Sequence, residues 1–156
     1  MHYSFKPMTQ EQAEIIAYEW YYDGEYRFYN MEEDQEDLQE FLNPERRQGS
    51  HFIVHDEKNE LVGFFTYHCG DHKVEIGLGM KPELTGLGLG LSFLQAGIQF
   101  AEKKYICQRL TLSVASFNQR AIKVYKKAGF QTVESFTQHT NGSNYEFIKM
   151  MRSKGK

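Results

Sequence analysis

Residues 74–91, VEIGLGMKPELTGLGLGL, decide how the chain is read. The stretch starts as an apolar strand and breaks at Lys81-Pro82. Glycine then recurs at alternate positions, Gly86, Gly88 and Gly90, and an apolar pattern at helical spacing follows. A strand, a glycine loop and a helix in that order form an anion-binding arrangement. The first amides of a helix lack intrahelical partners, they point outward with the positive end of the helix dipole, and glycine lets an anion approach them. Two other glycine loops are excluded. The dinucleotide fingerprint needs G-x-G-x-x-G and the nucleoside-triphosphate loop needs G-x-x-x-x-G-K-S/T, whereas this loop is G-x-G-x-G with no lysine after it. Taken alone, such a loop is also what a turn requires for backbone reasons.

Length and charge bound the rest. A chain of 156 residues is expected to form one domain, residues 1–156, with a core that needs no covalent staples. Eighteen basic against 21 acidic residues give a net charge of −3, which provides no field for nucleic acid. Apolar runs are interrupted by Gln and Gly, and the opening MHYSFKPM lacks a signal-peptide pattern, so no membrane partner and a cytoplasmic location are expected. Cys69 and Cys107 are the only cysteines, too few for a disulfide framework. His68, Cys69 and His72 have no metal-ligand spacing, and no metal is expected.

Outward from the loop, residues 50–56, 61–69 and 73–80 read as three strands of an antiparallel meander. Before them, Thr9 with Gln12 is a capping box, and Ala13, Ile16, Ala17 and Trp20 follow at helical spacing. Residues 21–30 hold no sustained period and read as an aromatic loop. Residues 32–42 form an acidic helix that Asn43-Pro44 closes. After the glycine loop, Leu91, Leu94, Ile98, Ala101 and Tyr105 mark a helix and residues 110–114 a strand parallel to 73–80. Asn118 is placed as the cap of a further helix with Ala121, Val124, Tyr125 and Ala128 inward, stopped by Gly129. Residues 130–137 and 145–150 flank Asn141-Gly142, a hairpin with a connection expected to exceed two residues. Lys149, Arg152, Lys154 and Lys156 read as a solvated tail.

Together, the strand-loop-helix of 74–91, Asn118 with Ala121 and Tyr125, and Gly129-Phe130 resemble the GNAT family of N-acetyltransferases, which bind acetyl-CoA and acetylate amines. The detailed likeness covers residues 50 to 150. It implies an α/β (α+β) fold: a mixed, mostly antiparallel sheet of about seven strands flanked by about four helices and splayed between strands 4 and 5. The family loop is Gln or Arg, two residues, Gly, one residue, then Gly or Ala. It falls on Thr85-Gly86-Leu87-Gly88-Leu89-Gly90, so the amides from Gly86 to Leu91 are expected to hold the CoA pyrophosphate. Thr85 departs from the pattern and removes one side-chain contact to phosphate. The resemblance further implies that pantetheine pairs with the freed strand at Leu78, Gly79 and Met80. Asn118 is implied to reach the pantetheine arm and Tyr125 to be the general acid for the thiolate leaving group. Glu75 is the candidate base.

The expected reaction is direct attack of a primary amine, small molecule or peptide, on acetyl-CoA. The alternative is an acyl-CoA-binding sensor of the same fold without catalysis. In the family, the region joining the first two helices lies over the acceptor. Trp20, Tyr26 and Tyr29 are therefore expected to line the acceptor pocket, and the adjacent acidic residues to favour a cationic amine. Both monomer and homodimer are compatible with the sequence.

Overall fold

The computed structural model describes residues 2–106 and 108–153. Seven strands form one sheet in the order β1-β2-β3-β4-β5-β7-β6. They are β1 (Ser4–Pro7), β2 (His51–His55), β3 (Leu61–Gly70), β4 (Lys73–Met80), β5 (Arg109–Ala115), β6 (Gln131–Thr140) and β7 (Ser143–Ser153). All neighbours are antiparallel except β4 and β5. The helices are α1 (Gln10–Glu19), α2 (Gln35–Leu42), the single turn α3 (Pro44–Arg47), α4 (Gly90–Lys104) and α5 (Gln119–Lys127). The expected mixed, mostly antiparallel sheet is thus present.

Alternation along β4 sends Val74 and Ile76 to one face of the sheet, where they join a core with Phe65, Phe93, Leu94 and Leu112 under α4 and α5. The opposite face carries Ile53 against Ala13, Ile16, Trp20 and Phe41 of α1 and α2. Gly97 is the price of close packing on the first side: a Cβ there would run into the Phe65 ring.

The parallel pairing of β4 with β5 is short. It consists of Lys73 with Arg109, Val74 with Leu110 and Glu75 with Thr111, and then stops. From Ile76 onward β4 keeps its partner β3, and β5 keeps β7 along its whole length. The sheet therefore opens as a wedge between Gly77–Met80 and the second half of β5, where the resemblance placed the splay.

Four local expectations are corrected. Residues 24–29 are a 3-10 helix rather than a loop. It is stapled by Asn30, whose Oδ1 accepts from the Tyr22 amide at 2.7 Å. Asn43-Pro44 ends α2 and also starts α3, with Asn43 as cap and Pro44 in the first turn, a position that needs no N–H. Asn141 and Gly142 have φ of 52° and 78°, so β6 and β7 are joined by a two-residue turn of the left-handed kind. The basic tail is no tail at Lys149 and Arg152, which belong to β7. Arg152 donates to the Ala128 carbonyl at 3.0 Å and pairs with Glu102 at 3.1 Å. Lys154, Lys156 and Cys107 lie outside the described residues.

Candidate active site

The glycine loop follows a 3-10 turn, Pro82–Leu84, whose carbonyl at Pro82 accepts from the Thr85 hydroxyl at 2.7 Å. Gly86 and Gly88 have φ of 76° and 79°, a region that side-chain-bearing residues rarely adopt. Gly90 serves differently. It opens α4, and a Cβ there would lie 3.4 Å from Val124 of α5. The start of α4 has neither a side-chain cap nor an acidic residue in its first turn. Its outward amides and dipole are left for an anion.

The loop and the sheet wedge open into one cavity of about 600 Å³. Gly77, Leu78, Gly79 and Met80 form one wall; Ser113, Val114, Asn118, Ala121 and Tyr125 form the other. Thr85, Gly86, Gly88, Gly90 and Leu91 close the end at α4. Leu87 and Leu89 stand outside the lining, and Leu87 is 62% exposed. Trp20, Tyr26 and Tyr29 also line the cavity. A 3-10 helix has three residues per turn, so Tyr26 and Tyr29 stand on one side of it.

Asn118 has two jobs. Its Oδ1 caps α5 through the Ala121 amide at 3.2 Å, and its Nδ2 donates to the Tyr29 hydroxyl at 3.0 Å. The helix cap thereby orients the aromatic wall. Tyr125, half-buried on α5, has no hydrogen-bond partner for its hydroxyl among the described residues, and it lines the cavity. Burial, and then the nearby Tyr29, push its pKa above the ordinary tyrosine value. It stays protonated throughout the neutral range, the state a proton donor needs.

Glu75 is not brought to this cavity. It is exposed, sits between His68 and Thr111 in the last closed row of the wedge, and does not line the cavity. Leu78 lies about 10 Å further along the strand. The acidic residues around α2 are also elsewhere. Asp34 accepts from Glu36 and Asp37 amides, from Thr140 Oγ1 at 2.9 Å and from the Asn141 amide at 3.2 Å, tying α2 to the β6–β7 turn. Glu36 and Glu40 face a separate groove with Arg46. No Asp, Glu or His lines the cavity among the described residues.

Two contributors were missed in the sequence. Tyr22 donates to the Met80 carbonyl at 2.7 Å, pinning the aromatic segment to the end of β4. Arg120 stands with its guanidinium 4.4 Å from the Tyr26 ring centre and 3.4 Å from where a Gly86 Cβ would be. In the sequence Arg120 is only a residue in the first turn after the Asn118 cap, and the return of α5 over the glycine loop is what brings it there.

The Acetyltransferase (GNAT) family profile matches residues 15–130. The chain belongs to this family. Among curated GNAT relatives, the mycothiol acetyltransferase of Saccharomonospora viridis is 36% identical over 66 residues, which cover 42% of this chain and 21% of that protein. That of Propionibacterium freudenreichii is 30% identical over 89 residues, covering 53% and 28%. The matched stretch thus spans about a quarter of the length of these relatives. Among solved structures, a GNAT acetyltransferase from Bacillus anthracis superposes with a TM-score of 0.77 at 19% identity, covering 98% of this chain and 95% of that one. Spermidine N-acetyltransferase from Vibrio cholerae, in complex with CoA and spermine, gives 0.70 at 17%, covering 97% and 95%. At such identities these likenesses establish the GNAT fold. No helix among the described residues is long and apolar enough to cross a membrane, and no cluster of three or more potential metal ligands occurs among them.

Proposed function

We propose that the chain transfers an acetyl group from acetyl-CoA to a primary amine by direct attack. One observation carries the reading: the backbone edge of β4 is freed where the glycine loop and Tyr125 face the same cavity. The residues fit acetyl-CoA. The uncapped start of α4 suits the pyrophosphate, with Arg120 supplying the cation that Thr85 does not. The wedge gives an extended arm an unpaired strand edge at Gly77–Met80 to lie along.

The thioester supplies an activated acyl carbon. Leu78 and Gly79 backbone groups hold it, and the aromatic wall presents the amine. As the C–N bond forms and the C–S bond breaks, Tyr125 donates its proton to the departing sulfur. The surplus proton of the new amide nitrogen passes to solvent and Tyr125 is reprotonated, so protons balance. A binding-only sensor would have no use for an unpartnered hydroxyl at this place. Calorimetry with acetyl-CoA and a free-thiol assay over a set of amines test the proposal. Binding without acetylation of any amine would leave the sensor reading instead.

Arg120→Ala is expected to weaken acetyl-CoA binding about tenfold to a hundredfold, the worth of a charged hydrogen bond to phosphate. Calorimetry at low salt measures it, and unchanged affinity would confine Arg120 to its contact with Tyr26. Glu75→Gln is expected to leave turnover within about twofold, as for an exposed surface position. A lost limb of the pH–rate profile in that variant would return Glu75 to the mechanism.

A further inference from the structure

The part of the cavity that the transferase reading leaves for the acceptor is lined by Ile16, Trp20, Tyr26, Tyr29, Met31 and Phe64. Several of its polar groups are already engaged. The Tyr22 hydroxyl donates to the Met80 carbonyl, the Tyr29 hydroxyl accepts from Asn118, and the Tyr26 ring is covered by the Arg120 guanidinium. The charged residues of the lining are Arg120 and Lys127, both cationic, and no carboxylate or imidazole joins them among the described residues. With Arg120 given to the phosphates, an ammonium group entering this space would shed water without gaining a counter-charge from a lining side chain. No lining side chain is placed to take its proton before attack.

We infer that, given the transferase reading, the acceptor is a weakly basic amine, neutral at pH 7, carried on an aromatic body: an arylamine. Its lone pair is available without a base, and its ring packs against Trp20 and Phe64, whose rings already lie 6.2 Å apart between centroids. An alkylamine with a lysine-like pKa near 10.4 is neutral in only about one molecule in 2,500 at pH 7. A polyamine would suffer the same deficit at every nitrogen.

The test compares 4-methylaniline, 4-methylbenzylamine and spermidine as acceptors by detecting the acetylated product, with acetyl-CoA binding followed in parallel by calorimetry. For 4-methylaniline, kcat/KM is expected to exceed that of 4-methylbenzylamine at least about 100-fold at pH 7 and to stay flat from about pH 6.5 to 9, whereas the benzylamine value should climb about tenfold per pH unit. Met31→Glu, which places a carboxylate in the wall, is expected to shift the ratio at least about tenfold toward the benzylamine. Preference for spermidine or 4-methylbenzylamine at pH 7 would overturn the inference and leave acetyl transfer standing, as would an unchanged ratio in a folded Met31→Glu chain. Acetyl-CoA bound with no amine acetylated would overturn both.

Discussion

Gly88→Val is expected to reduce acetyl-CoA affinity at least about 100-fold in a chain that still folds. At φ of 79° a β-branched residue is strained, by about 1–3 kcal/mol. That is a fraction of the roughly 5–15 kcal/mol that holds a domain together. Apart from its chain neighbours, no atom of the described residues lies within 4 Å of the position its Cβ would take, so the core is not disturbed. The space the branched side chain enters is the approach to the α4 amides, which is where a phosphate has to come. Calorimetry and a thermal melt on the same preparation decide it. A folded variant with wild-type affinity would take the loop out of the cofactor site.

Tyr125→Phe is expected to lower kcat by about 10² to 10⁴-fold with little change in acetyl-CoA affinity. The ring keeps its place near Phe130, at 6.3 Å between centroids, and the deleted hydroxyl leaves no protein partner unsatisfied among the described residues. Stability should therefore change by less than about 0.5 kcal/mol, which separates a chemical effect from a structural one. The sign of the pKa shift adds a check. Burial raises the tyrosine pKa, so the donor form persists to pH above the ordinary tyrosine value and Tyr125 should contribute no limb to the rate profile at neutral pH. An unchanged kcat would return Tyr125 to the core packing of α5.

The frame of the site was legible because it is written in backbone requirements. Three glycines in alternation, a cap at Asn118 and strand periods around them gave the loop, the helix starts and the parallel pair, since each answers to local sterics and hydrogen bonding. What the sequence hid depends on where distant segments meet. Arg120 counts because α5 comes back over the loop, which no local pattern states. Glu75 was chosen by its strand and face, but the wedge opens one row later, and register across β4 and β5 is a tertiary property. The acidic stretch looked like a charge lure for a cation. In the structure Asp34 is spent on the β6–β7 turn, because a carboxylate that caps a helix also meets two donors from the hairpin. The 3-10 helix at 24–29 escaped because its period of three over six residues resembles disorder when searched for periods of two and 3.6.

The wedge also makes the molecule, mechanically, two plates on a hinge. Strands β1 to β4 form one plate and β5 to β7 the other, and among the described residues the backbone seam between them is confined to one corner, the three pairs from Lys73 to Glu75 with the Gln108 and Arg109 amides donating to the His72 carbonyl. Away from that seam the plates are held by apolar packing, with Phe93, Leu94 and Ile98 of α4 sharing one core with Phe65 on the first plate and Leu112 and Met150 on the second. Apolar contact is non-directional and tolerates small rotations that a hydrogen-bonded ladder would forbid. The mouth can therefore flex by small turns about its closed corner, and a ligand strand laid between the plates replaces the missing rungs and locks the angle.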